Sequence, residues 1–157
     1  MNKKTIKGIK AKRSIHLIDI ENLCISGDLS VQAVREARED YFAQVQPGDD
    51  DLFYIAASHH NMQAALFGWG SGSYDFRSGK DGADLVLAET MENEHLAERF
   101  DQVYLASGDG GLAPHVEALI NQGSVVNVVT RVECVSMAMR LATSSVMYLK
   151  DTHALAA

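Results

Sequence analysis

Short apolar runs alternate along this chain with segments of helical periodicity, and that alternation limits the available folds more than any other feature. Strand-like runs fall at about 14–20, 52–57, 102–106, 125–130 and 145–149, with a weaker one at 74–77. Val31, Val34, Ala37, Arg38 and Tyr41 recur at helical spacing behind Ser30, a residue suited to capping, and Pro47-Gly48-Asp49 ends that segment. Further helices are expected at about 61–67, 83–99, 112–121 and 134–142, with Gly123 stopping the third. A β-α unit repeated about five times predicts a three-layer α/β/α sandwich. Its centre is a mostly parallel sheet of five to six strands joined by right-handed crossovers.

Two of these strands end in acids. Ser14-Ile15-His16-Leu17-Ile18-Asp19-Ile20-Glu21-Asn22 runs from apolar residues into two carboxylates and an amide. Val103-Tyr104-Leu105-Ala106-Ser107-Gly108-Asp109-Gly110-Gly111 repeats the pattern and adds glycines that allow a sharp turn. In an open α/β sheet, ligands bind outside the carboxyl ends of the strands. A third acidic position, Gly79-Lys80-Asp81-Gly82-Ala83-Asp84, opens the long helix, where a carboxylate also serves as a cap. If the first and fourth strands are neighbours, Asp19, Asp84 and Asp109 share one cleft and repel one another by several kcal/mol at low dielectric. A divalent cation relieves that repulsion, and oxygen-only donors favour Mg²⁺ or Mn²⁺ over Zn²⁺.

Composition removes other classes. At 157 residues and 46% hydrophobic, the chain suits one domain, expected over residues 14–150 with a tail at 151–157. Its apolar runs fall short of the roughly 20 residues a membrane span needs, and no leader pattern opens the chain, so a soluble cytoplasmic protein is expected. Cys24 and Cys134 are too few for a disulfide scaffold or thiolate cluster. Neither a dinucleotide glycine fingerprint after the first strand nor a P-loop is present. Lys3, Lys4, Lys7, Lys10, Lys12 and Arg13 make residues 1–13 a basic arm, whereas residues 14–157 carry 8 basic and 21 acidic side chains, a net −13. The arm suits either tracking a phosphate backbone or solubilising the chain.

Three motifs together resemble the NYN domain of the PIN-like nuclease superfamily. They are Leu17-Ile18-Asp19-Ile20-Glu21-Asn22-Leu23, Lys80-Asp81-Gly82-Ala83-Asp84-Leu85 and Leu105-Ala106-Ser107-Gly108-Asp109-Gly110, with Gly123-Ser124-Val125-Val126 following. The resemblance spans about residues 14–150 and implies a PIN-like, Rossmann-like fold and metal-dependent cleavage of RNA phosphodiester bonds. By position it implies Asp19, Asp84 and Asp109 as metal ligands, with Asn22 and Ser107 beside them in the catalytic set. The chain departs from the pattern where a second acid often follows the Ser-Gly-Asp motif, for Gly111 stands there. Within the central helix only Glu89, one residue out of step, or Glu92 is available as a further acid.

The remaining polar residues carry two readings each. Glu21 is a ligand only if a turn begins at Asp19. Lys80 and Arg77 are candidate phosphate contacts beside Asp81; His59-His60 and His115 are candidate cleft residues; Trp69 and Tyr74 suit either base stacking or packing. The expected function is a Mg²⁺- or Mn²⁺-dependent endoribonuclease acting on single-stranded or structured RNA, with a homodimer left open. The alternatives are an NYN-like domain that binds RNA or a protein without cutting and, more distantly, a haloacid-dehalogenase-like phosphatase.

Overall fold

The computed structural model describes residues 11–79, 81–143 and 145–150, so most of the basic arm, Lys80 and the 151–157 tail lie outside the described residues. Among the described residues six strands form one sheet: β1 (Ala11–Asp19), β2 (Leu52–Ala57), β3 (Ser73–Phe76), β4 (Phe100–Ala106), β5 (Val125–Thr130) and β6 (Val146–Tyr148). Their order is β3-β2-β1-β4-β5-β6, and every neighbouring pair is parallel. The expected α/β sandwich is therefore the observed one, with a sheet that is parallel throughout.

Helices cover both faces: α1 (Ile20–Cys24), α2 (Val31–Val45), α3 (Met62–Trp69), α4 (Gly82–Asn93), α5 (Leu96–Arg99), α6 (Ala113–Asn121) and α7 (Met137–Ala142). Successive strand residues point to opposite faces. Leu17, Val103, Leu105 and Val128 therefore pack with α4 and α6 through Val86, Leu87, Val116 and Leu119. Ile18, Ile55, Ala106 and Val129 pack with α2 and α3 through Val34, Tyr41, Ala65 and Trp69. Two buried faces explain why the strands read as continuous apolar runs. Each fully buried Leu or Ile contributes about 1.5–3 kcal/mol relative to exposure.

The chain lays β2 and β3 on one side of β1, then returns to place β4 on the other, so the direction of winding reverses between β1 and β4. Parallel register sets Ile18 beside Ala106. Asp19 and Ser107, the next residues, thus leave the same sheet edge side by side.

Among the boundaries that differ from the sequence reading, three have a clear local reason. β1 starts at Ala11, because Ser14 N–H bonds Asp51 Oδ1 at 2.9 Å and the Arg13 guanidinium lies over the Phe100 ring; Arg13 thus belongs to the sheet. The helix expected over 83–99 breaks at His95, whose φ of 52° starts α5 and lets Leu96 and Phe100 turn into the core. α7 starts at Met137 instead of 134, because Ser136 caps it by accepting Met139 N–H at 3.0 Å.

Candidate functional site

The chain turns sharply at Asp19. Its Oδ1 accepts Asn22 N–H at 3.2 Å, capping the short helix α1, which Ile25 closes in the left-handed region at φ 53°. Asp19 is buried and stays fixed beside β4 because Ser107 Oγ donates to its Oδ2 at 3.3 Å. Ser107 Oγ also accepts Asp109 N–H at 3.3 Å, and Asn22 Oδ1 accepts Gly108 N–H at 3.1 Å. The two motifs are thus stitched together across the switch point. Ser107 is itself fully buried, so its hydroxyl positions Asp19 and Asp109 and does not face the cleft.

Glycine is required at 108. A Cβ there would lie 2.2 Å from the Cys134 carbonyl oxygen, and Ser136 N–H bonds Gly108 O at 2.9 Å. The segment before α7 therefore braces the Ser-Gly-Asp loop by backbone contact. Asp109 Oδ1 accepts Gly111 N–H at 2.7 Å, which caps the turn over 110–112.

Asp84 enters from the first turn of α4 and stands between the other two acids. Burial pushes the Asp19 carboxyl up to about 8, reinforced by the charge of Asp84 and opposed by the Asn22 N–H. Asp84 is raised to about 6, first by burial and then by the charge of Asp109, while a hydrogen bond from Asp19 pulls it down. Asp19 therefore keeps its proton longest and shares it with Asp84. Among the described residues no three Asp, Glu, His or Cys side chains already surround one coordination point. The acids instead meet in sequence, Asp19 with Asp84 and Asp84 with Asp109. Their chemistry fits a hard divalent cation: the donors are all oxygen, they repel one another, and one is almost fully buried.

The acids border two cavities of about 290 Å³ each, both lined by Asp81 and Asp84. One also holds Asp19, Glu21, Asn22 and His60; the other holds Asp109, Gly111, Leu112 and His115. Asp81 is exposed and starts α4 with φ 66°.

Other candidates are engaged elsewhere. Glu21 Oε1 accepts Ser58 N–H and Asn61 Nδ2–H, each at 2.8 Å, tying the β2 loop to α1. Arg77 makes a two-pronged pair with Glu89 at 2.8 and 2.9 Å, so neither stands with the acids. Glu92 holds His115 Nδ1 at 3.1 Å. His59 bonds Ser78, and His60 bonds the Gly27 carbonyl at the cavity rim. Trp69 is buried among Tyr41, Phe42 and Phe53, a packing residue and no stacking platform, and Tyr74 stacks on Phe76.

Two supporting residues escaped the sequence reading. Asn61, buried behind the two histidines, bonds Glu21, the Gly27 carbonyl and Leu29 N–H. Arg131, the first cation after the apolar β5 run, donates from Nε to Leu23 O at 2.8 Å and pairs with buried Asp40 at 3.2 Å, anchoring α1 to α2. A lone charge at the end of a buried strand was the available signal.

No protein-family model matches the chain, and no curated protein matches it. Among solved structures it is similar to a crystal structure of a protein of unknown function from Vibrio parahaemolyticus RIMD 2210633. The TM-score is 0.59 and the identity 19%, covering 89% of this chain and 94% of that one. At that identity the likeness shows a common α/β fold.

Proposed function

We propose that the chain is a cytoplasmic, metal-dependent ribonuclease that hydrolyses RNA phosphodiester bonds at the carboxyl edge between β1 and β4. One observation carries the reading: Asp19, Asp84 and Asp109, from three separate elements, meet at the switch point with two of their carboxyl groups raised by burial and mutual charge. These three would hold Mg²⁺ or Mn²⁺, which when bound neutralises a phosphodiester and acts as a Lewis acid toward it. Asn22 gives its Oδ1 to Gly108 N–H, which leaves its Nδ2–H donors for a phosphate oxygen. Ser107 fixes the spacing of Asp19 and Asp109 through one hydroxyl.

A second reading, RNA binding without cleavage, is favoured by the scarcity of a fourth acid. Gly111 carries no side chain, and Glu89 and Glu92 are turned to Arg77 and His115. Labelled single-stranded RNA and a phosphomonoester, each incubated with Mn²⁺ and with chelator, separate the readings. A ribonuclease cuts the RNA only with Mn²⁺ and loses the activity in Asp19→Asn. RNA that is bound but intact supports the second reading, and hydrolysis of the phosphomonoester alone points to a phosphatase.

A further inference from the structure

The two cavities beside Asp84 differ in chemistry. The one toward β1 is walled by Asp19, Glu21 and Asn22; the one toward α6 replaces those groups with Leu85, Ala88 and Leu112. Gly111 leaves that second wall open, since a Cβ there would meet only Asp109 Oδ1, at 3.0 Å. His115 is the one basic side chain lining it among the described residues. Its ring is held: Nδ1 lies 3.1 Å from Glu92 Oε1, and the side chain is 24% exposed. That contact orients the ring, and Nε2 has no hydrogen-bond partner among the described residues.

An apolar wall, a row of carboxylates and one oriented ring nitrogen suit a nucleoside whose phosphate lies over the acids. Exposed Leu85 offers a base an apolar contact, and a 2′-hydroxyl, which both donates and accepts, suits Nε2 in either ring tautomer. We propose that this cavity seats the ribonucleoside adjoining the scissile phosphate and that His115 reads its 2′-hydroxyl, the group that separates RNA from DNA. The proposal rests on the ribonuclease reading and adds to it the origin of RNA preference.

The test uses the full chain with Mn²⁺, an RNA oligonucleotide with one cleavage site, and the same oligonucleotide carrying a single 2′-deoxy sugar on either side of the scissile phosphate. Wild-type protein should cut the all-ribose substrate about tenfold better in kcat/KM than one of the two deoxy substrates, the size of one hydrogen bond. His115→Ala should lower the all-ribose rate to the deoxy rate and leave the deoxy rate unchanged. His115→Gln, which keeps a donor and an acceptor, should recover part of the preference and guards against a folding defect in the alanine variant. If wild-type protein cuts RNA but His115→Ala keeps its preference, or if the wild type shows none, the assignment of His115 is overturned and the ribonuclease reading stands. If wild-type protein cuts no RNA with Mn²⁺, the ribonuclease reading fails, and this proposal with it.

Discussion

Replacing Asp19 by Asn tests the electrostatics of the site while keeping the side chain's size and shape. An asparagine carbonyl still accepts Asn22 N–H at the start of α1, and asparagine caps helices as well as aspartate does. The amide removes the charge and turns an Nδ2–H donor toward Ser107 Oγ, whose hydroxyl rotates to accept it. Below about pH 4, folded and unfolded chains both hold the Asp19 proton. As pH rises toward 8 the unfolded carboxyl ionises while the folded one does not, so the stability present at acid pH is progressively lost. With an ordinary value of 3.8 and a folded value of about 8, linkage at about 1.4 kcal/mol per pH unit removes about 4 kcal/mol by pH 7. Part of that belongs to the shared proton of Asp19 and Asp84, which titrate as a pair, so the variant should gain about 2–4 kcal/mol at pH 7.

Urea denaturation in chelator at pH 4.5, 6, 7 and 8 measures the difference. The variant should lead by about 1 kcal/mol or less at pH 4.5, and its lead should widen through pH 6 to about 2–4 kcal/mol at pH 7. Added Mn²⁺ should stabilise the wild type and leave the variant unmoved. Parallel pH profiles, or a less stable variant at pH 7, would refute the reasoning and show that Asp19 is ionised as an ordinary cap of α1.

Two substitutions probe the supports of the site. Gly108→Ala places a methyl group 2.2 Å from a backbone oxygen that no rotamer can move; a loss of about 1–3 kcal/mol is expected by denaturation, with cleavage falling further because the Asn22 to Gly108 bond is displaced. Arg131→Ala withdraws a guanidinium from Leu23 O and from buried Asp40; a loss of about 3 kcal/mol is expected, and Asp40→Asn in the same chain should return part of it.

What the sequence made legible followed from periodicity and from residues at strand ends. Strand runs buried on both faces announced a parallel sheet, and acids just past β1 and β4 needed only the adjacency of those strands to share a cleft. The break at His95 was hidden because Glu92-Asn93-Glu94-His95 has no breaker, and the fold rather than local preference turns Leu96 inward. Glu21 kept two readings because its direction depended on whether Ile20 continued the strand. The helix at Ile20 turned it toward Ser58 and Asn61. The pairing of Arg77 with Glu89 joins a loop to a helix 12 residues on, a separation that no local pattern encodes.

The charges around the acids favour a cation over a purely structural role. Asp19 receives one backbone N–H and one hydroxyl, and Asp109 receives one N–H, while Asp84 has the start of α4 and its two acidic neighbours. A helix start offers a carboxylate about 0.3–1 kcal/mol, too little to offset two nearby acids and burial. Among the described residues no salt bridge reaches any of the three. The arginines of nearby elements are already placed: Arg77 with Glu89 and Arg131 with Asp40. A fold that needed these carboxylates only as caps would gain stability by turning one arginine toward them or by exchanging Asp19 for Asn. Retaining three acids in contact, with the neighbouring positive charges directed away, leaves the cleft suited to a positive partner that arrives from solvent.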